Sequence, residues 1–148
     1  MTTEVLTVQG DWYLDRLAGF LVENGISGAP VLGEDGEVIG VVSLNDIVRH
    51  RAEGTQEAPD EPSLFFQEPL ETRLSKEDLR TLQVREVENV TTQQIMTKVV
   101  FSVEEDTPVS EIAGVMVQGR VHRILVMNGP KIAGIISSLN LLELLMDE

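Results

Sequence analysis

The chain carries nearly the same text twice. Residues Val5 to Pro30 align without a gap on Val100 to Leu125, and Gly40 to Ile47 align on Gly134 to Leu141. The offset is about 95 residues, the mark of an internal repeat. Apolar positions in one stretch of the first copy are Leu14, Leu17, Ala18, Leu21 and Val22; in the second they are Val109, Ile112, Ala113, Met116 and Val117. Both follow the i, i+3, i+4, i+7, i+8 spacing that forms one buried face of an amphipathic helix. A unit of this size has too little core to stand alone, so the two copies are expected to pack on each other and to leave a cleft between them.

Each copy reads as β-α-β-β-α. In the first, Val5 to Val8 is strand-like and Asp11 precedes a helix over Tyr13 to Glu23, which Asn24-Gly25 stops. Gly28 to Leu32 is a strand with Pro30 placed where a missing N–H is tolerated, Gly33 to Gly36 a tight turn, and Val38 to Val42 the returning strand. Ser43 is a candidate N-cap for a helix running to Arg49. In the second copy Thr107-Pro108 opens the helix, with proline at its first position. Val121 to Met127 and Ile132 to Ile136 are strands around Asn128-Gly129-Pro130, and Leu139 to Met146 is the last helix. The fold class is α+β: two repeats related by a pseudo-twofold, spanning 1–51 and 91–148, joined by an acidic linker over 52–90.

That linker has a different composition. Glu53 to Pro69 is rich in Glu, Pro, Gly and Gln and reads as a solvated loop, and Ser75-Lys76-Glu77-Asp78 resembles a capping box opening a short helix through Leu82. Phe65 and Phe66 stand out there; they are expected to fold back over an apolar edge, the alternative being an anchor for a partner. Thr91 to Thr97 forms a one-turn helix leading into the second copy.

Bulk properties exclude several functions. With 148 residues and 42% apolar content the chain builds one compact module. It has no apolar run approaching the roughly 18 residues that a membrane span needs, and no signal-peptide pattern after Met1, so no membrane role and a cytoplasmic location are expected. The absence of cysteine removes disulfides, thiolate metal sites and thiol nucleophiles. A net charge of −14, from 25 acidic and 11 basic residues, repels nucleic acid, whose binding requires a basic surface. Only His50 and His122 are histidines, and neither a Walker-type loop nor a metal cluster is evident, so the chain is expected not to be an enzyme and to need no metal or resident cofactor.

Gly25-Ile26-Ser27-Gly28-Ala29-Pro30-Val31 followed by Val38-Ile39-Gly40-Val41-Val42-Ser43-Leu44-Asn45-Asp46-Ile47 resembles a CBS domain. The second copy matches with Val121-His122-Arg123-Ile124-Leu125-Val126 and Ile132-Ala133-Gly134-Ile135-Ile136-Ser137-Ser138-Leu139-Asn140-Leu141. The whole therefore resembles a tandem CBS pair, or Bateman module. The resemblance implies a regulatory module that binds an adenosyl ligand (AMP, ADP, ATP or similar) between the copies and does no catalysis. It also implies a homodimer, and a separate enzyme or transporter as the regulated partner. The alternative is a structural dimerisation scaffold of the same fold that binds no nucleotide.

In such a module the Ser/Thr-x-x-Asp motif binds ribose, which maps here to Ser43 and Asp46. A carboxylate accepts charge-assisted bonds from adjacent hydroxyls, and the hydroxyl and first helical N–H groups form an anion seat. Ser43 reads equally as a plain N-cap, and Asp46 as an acid favouring the helix dipole. Asn140 replaces the acid in the second copy, so Ser137 and Asn140 mark a weaker site. His122-Arg123 is similar to the phosphate-reaching pair in the gamma subunit of AMP-activated protein kinase, and is expected to share one site with Ser43 and Asp46. Arg123 reads equally as the partner of an acidic neighbour. Ile26 and Ala29 in one cleft, and Val100, Val121 and Ile124 around the other, are candidates for an adenine slot.

Overall fold

A computed structural model describes residues 1–53, 63–67 and 90–146; the expected helix from Ser75 to Leu82 and most of the linker lie outside them. The first copy comprises β1 (Val8–Gln9), α1 (Leu14–Asn24), β2 (Gly28–Leu32), β3 (Val38–Ser43) and α2 (Leu44–Glu53). Two short helices follow, α3 (Leu64–Gln67) and α4 (Thr92–Ile95). The second copy comprises β4 (Ser102–Glu104), α5 (Val109–Gly119), β5 (Arg123–Asn128), β6 (Lys131–Ser137) and α6 (Ser138–Met146). Each copy holds a three-stranded sheet, β1-β2-β3 and β4-β5-β6, in which the first strand pairs parallel and the hairpin antiparallel. This is the α+β architecture anticipated from the repeat.

The duplication extends to irregularities. A register shift falls between Val31 and Leu32 in one hairpin and between Val126 and Met127 in the other, the same repeat position. Both long helices end in a left-handed residue whose N–H returns to the last turn, Gly25 (φ 63°) and Arg120 (φ 55°). α5 starts at Val109 with Pro108 as its N-cap residue, so the proline sits one position earlier than expected. In the linker, Phe65 and Phe66 do fold back, 3% and 0% exposed, into the apolar core of the second copy.

The first strand differs from expectation. The ladder in the first copy is Val8–Gln9, because the residues before it leave their own sheet. Thr2 pairs with Ile135 of β6, its N–H donating to the Ile135 carbonyl at 2.9 Å and its carbonyl accepting the Ile135 N–H at 2.8 Å. Thr97, the repeat equivalent of Thr2, does the same with Val41 of β3, at 2.8 and 2.9 Å. Each copy thus sends its leading arm across to the hairpin of the other.

Glycine permits the crossing. A Cβ on Gly40 would lie 2.7 Å from the Thr97 carbonyl oxygen and 2.8 Å from Met96 Sδ, and one on Gly134 would lie 2.6 Å from the Thr2 carbonyl oxygen. The obstructing oxygen is backbone in both cases and has nowhere to move without breaking the exchange. Gly40→Ala is expected to lower unfolding free energy by about 1–3 kcal/mol, the usual cost of forced overpacking, and denaturant melts check it. Gly36→Ala would not test this, since that glycine's φ of 81° strains alanine by itself.

Candidate functional site

At the end of each hairpin the chain turns into a helix through the same device. Ser43 caps α2, and Asp46 in the first turn accepts the Ser43 N–H at 2.8 Å and its Oγ–H at 3.3 Å. Ser137 caps α6, with Asn140 Oδ1 accepting the Ser137 N–H at 2.9 Å and the Asn140 N–H donating to Ser137 Oγ at 3.2 Å. The second is a reciprocal cap, whereas in the first the Ser43 hydroxyl donates and the Asp46 carboxylate does the accepting. Asp46 has a further partner: Arg49 Nη2 donates to its Oδ1 at 2.6 Å. With three donors and 3% exposure, the carboxylate is enclosed and committed.

Burial raises the Asp46 carboxyl above its ordinary value of 3.8, with the Ser43 and Arg49 donors opposing that shift. A raised native value means the folded state takes up a proton more readily than the unfolded chain. The group's contribution to stability is therefore fully present below 3.8 and is lost as pH rises through the native value. Asn140 shows that an amide serves the same cap.

A cleft of about 740 Å³ opens between the copies on the Asn140 side. One wall comes from the leading arm, including Val5 and Leu6; another from Ile26, Ser27 and Gly28 after α1; a third from Ile135, Ser137 and Asn140. Phe65 and Arg123 complete it. The Arg123 guanidinium carbon lies 4.7 Å from the Phe65 ring centre, and its Nε donates to the Phe65 carbonyl oxygen. Its polar lining consists of the Arg123 guanidinium, the hydroxyls of Thr2, Ser27 and Ser137, the amides of Asn24 and Asn140, and the Glu4 carboxylate.

The profile of the CBS domain matches residues 1–53 and 90–147. The chain belongs to the CBS domain family. Over 129 residues it is 29% identical to the uncharacterized protein MJ1426 of Methanocaldococcus jannaschii, covering 84% of this chain and 76% of that one. Among solved structures it is similar to CBSX2 in complex with AMP, at 19% identity and a TM-score of 0.64 over 99% of this chain and 92% of that one. It is also similar to the CBS domain pair of protein MJ0100 in complex with 5′-methylthioadenosine and S-adenosyl-L-methionine, at 18% identity and a TM-score of 0.62 over 99% and 92%. These likenesses establish a tandem CBS pair.

Several sequence expectations need correction against this CBS pair. Arg123 was expected beside Ser43 and Asp46, but its side chain lines the cleft that holds Ser137 and Asn140. The reason is Phe65, which draws the guanidinium across by its ring and its carbonyl. His122 has an exposed side chain, and its backbone joins two elements: its N–H donates to the Phe66 carbonyl at 2.8 Å and its carbonyl accepts from Ser138 at 2.8 Å. Of the adenine-slot candidates, Ile26 lines the cleft, while Ala29, Val121 and Ile124 are at most 3% exposed and serve as core. Val100 is half-buried against the core of the second copy. The arm residues and Phe65 were not anticipated as walls. Gly134, set between apolar strand residues where the arm crosses, was the available signal.

Among the described residues no helix is long and apolar enough to cross a membrane, and no group of His, Asp or Glu side chains is arranged to hold a metal ion. Asp46→Asn is expected to melt at a higher temperature than the parent at pH 7, because the cap survives and the buried charge is removed. The difference should close as pH falls into the range where Asp46 is itself protonated, as thermal melts across pH would reveal.

Proposed function

We propose that this CBS pair is a regulatory sensor that holds an adenosyl ligand (AMP, ADP, ATP or a similar molecule) in the cleft between its copies, with no catalysis of its own. The carrying observation is that Arg123, Ser137 and Asn140 meet in one cleft of about 740 Å³, within the usual size range of small-molecule sites. Ile26 and the arm residues Val5 and Leu6 offer the apolar faces that a purine needs, and Ser137 and Asn140 offer neutral partners for ribose. Arg123 offers a planar fork to a phosphate. The solved relatives similar to this chain hold AMP, or 5′-methylthioadenosine and S-adenosyl-L-methionine, which supports the adenosyl class. In this reading the ligand takes the Asn140 side first, the reverse of the order suggested by the acid at position 46. A regulated enzyme or transporter receives the output.

Calorimetry and thermal unfolding with AMP and adenosine test this reading. Ligand at about 100 times its dissociation constant should add roughly 2.7 kcal/mol of stability. Arg123→Ala should weaken AMP about tenfold or more, as loss of a charge-assisted bond does, and weaken adenosine far less. No stabilisation by any adenosyl compound would favour the scaffold reading instead.

The partner that covers α6 is, in this reading, a second copy of the chain. Leu142, Leu144, Leu145 and Met146 are 56%, 49%, 65% and 83% exposed, and no residue of the helix is buried. The equivalent helix of the first copy carries His50 and Arg51 where α6 carries Leu144 and Leu145. In a chain of net charge −14 this face has a single ionisable group, Glu143, so two copies meet there about a twofold axis with little repulsion. Sedimentation equilibrium is expected to give twice the chain mass, and Leu142→Glu with Leu145→Glu to give the single-chain mass. A parent that sediments as one chain would exclude the second copy.

A further inference from the structure

The repeat supplies an internal standard for what each cleft should look like. Leu6, Ile26, Ser27 and Ile135 line the open cleft. Their repeat equivalents are Phe101, Val121, His122 and Val41. Phe66 lies among this second set. The Phe66 and Phe101 rings stand edge to face with centres 5.4 Å apart, Val41 and Val121 share its apolar cluster, and the His122 N–H donates to the Phe66 carbonyl at 2.8 Å. Phe66 is 0% exposed.

We infer that α3 is an intramolecular plug: Phe66 fills the repeat equivalent of the open cleft, so that an adenosyl ligand reaches the Asp46 side only by displacing the chain's own linker. The segment is built to hold this position. Ser63 Oγ accepts the Phe65 N–H at 3.2 Å and the Ser63 carbonyl accepts the Phe66 N–H at 2.9 Å, closing the turn that presents both rings. Phe65 stands edge to face with Phe66, at 5.1 Å between ring centres, and is held on its other side by Arg123. The acid that would receive ribose on this side is enclosed by Ser43 and Arg49.

Arg123 connects the two sides. Its guanidinium holds the plug through Phe65 and also lines the open cleft, so a phosphate bound there competes with the Phe65 ring and carbonyl for the same donor group. Binding on the open side therefore loosens the plug on the other. This turns a pair of unequal clefts into a device in which the linker, and whatever the linker is joined to, responds to the ligand.

The inference rests on the proposed function only for its choice of probe, AMP, titrated calorimetrically into the full chain. The parent is expected to bind one AMP per chain, Phe66→Ala two, and Phe66→Ala with Asp46→Ala one again. Two AMP bound by the parent, or an unchanged count in a Phe66→Ala variant that still melts cooperatively, would overturn the plug. A parent that binds none, beside a Phe66→Ala variant that binds one AMP lost on adding Asp46→Ala, would sustain the plug and reject the proposed role of the open cleft. Should the alanine variant not fold, Phe66→Leu keeps an apolar side chain in the cluster; it is expected to show the second site at higher AMP, and a folded Phe66→Leu with an unchanged count overturns the plug equally.

Discussion

Two backbone exchanges, Thr2 with Ile135 and Thr97 with Val41, are the constraint on which the rest of the molecule depends. Each extends one copy's hairpin with a residue of the other's leading arm, so neither copy completes its sheet edge alone. The arms pass over Gly40 and Gly134, where any side chain would collide with backbone. They also wall the clefts: Val5 and Leu6 lie on the arm that has just left Ile135, beside Ser137 and Asn140. Fold and site are one construction here, because the segment that joins the copies also bounds the space between them. Buried strand edges must find partners, and exchanging arms satisfies both edges at once.

Local features were legible from residues alone because their causes are local. The 3.6-residue spacing in Leu14 to Val22 and Val109 to Val117 appears as α1 and α5. The glycine turns at Gly36 and Gly129 sit where the hairpins reverse, with φ of 81° and 61°. Ser43 and Ser137 cap the helices that follow their strands. Phe65 and Phe66 in an acidic stretch signalled burial, and burial is what they have. What escaped was non-local. An arm whose β pattern fits its own sheet instead crosses to another, and alternation of apolar residues does not say which edge it will meet. The destination of Phe66 depends on shape complementarity with residues far away in sequence, and that destination decides which cleft is open.

The surroundings of Arg123 are non-local in the same way. Residue type and resemblance place it with Asp46, while its backbone pairs with Ser137 across β5 and β6. A long side chain is not bound to the cleft its Cα faces. Phe65 offers a ring face and a carbonyl, and a guanidinium satisfies both together. Asp46 is then neutralised by the nearer cation, Arg49, one turn along its own helix. Asp46 thus takes a partner three residues away, and Arg123 one that the fold brings from 58 residues away.

Comparing the copies position by position separates shared construction from divergence. Positions kept alike include Gly40 with Gly134 and Thr2 with Thr97, which hold the two-copy architecture, and Ser43 with Ser137, which start the helices after each hairpin. Differences at the clefts and the outer helix face include Gly28 against Arg123, Asp46 against Asn140, and the polar face of α2 against the apolar α6. Arg120 in a left-handed conformation, where the first copy uses Gly25, shows the second copy carrying a backbone strain of about 1–2 kcal/mol that glycine avoids. Positions that match thus carry folding, while those that differ make the two sides of the molecule unlike.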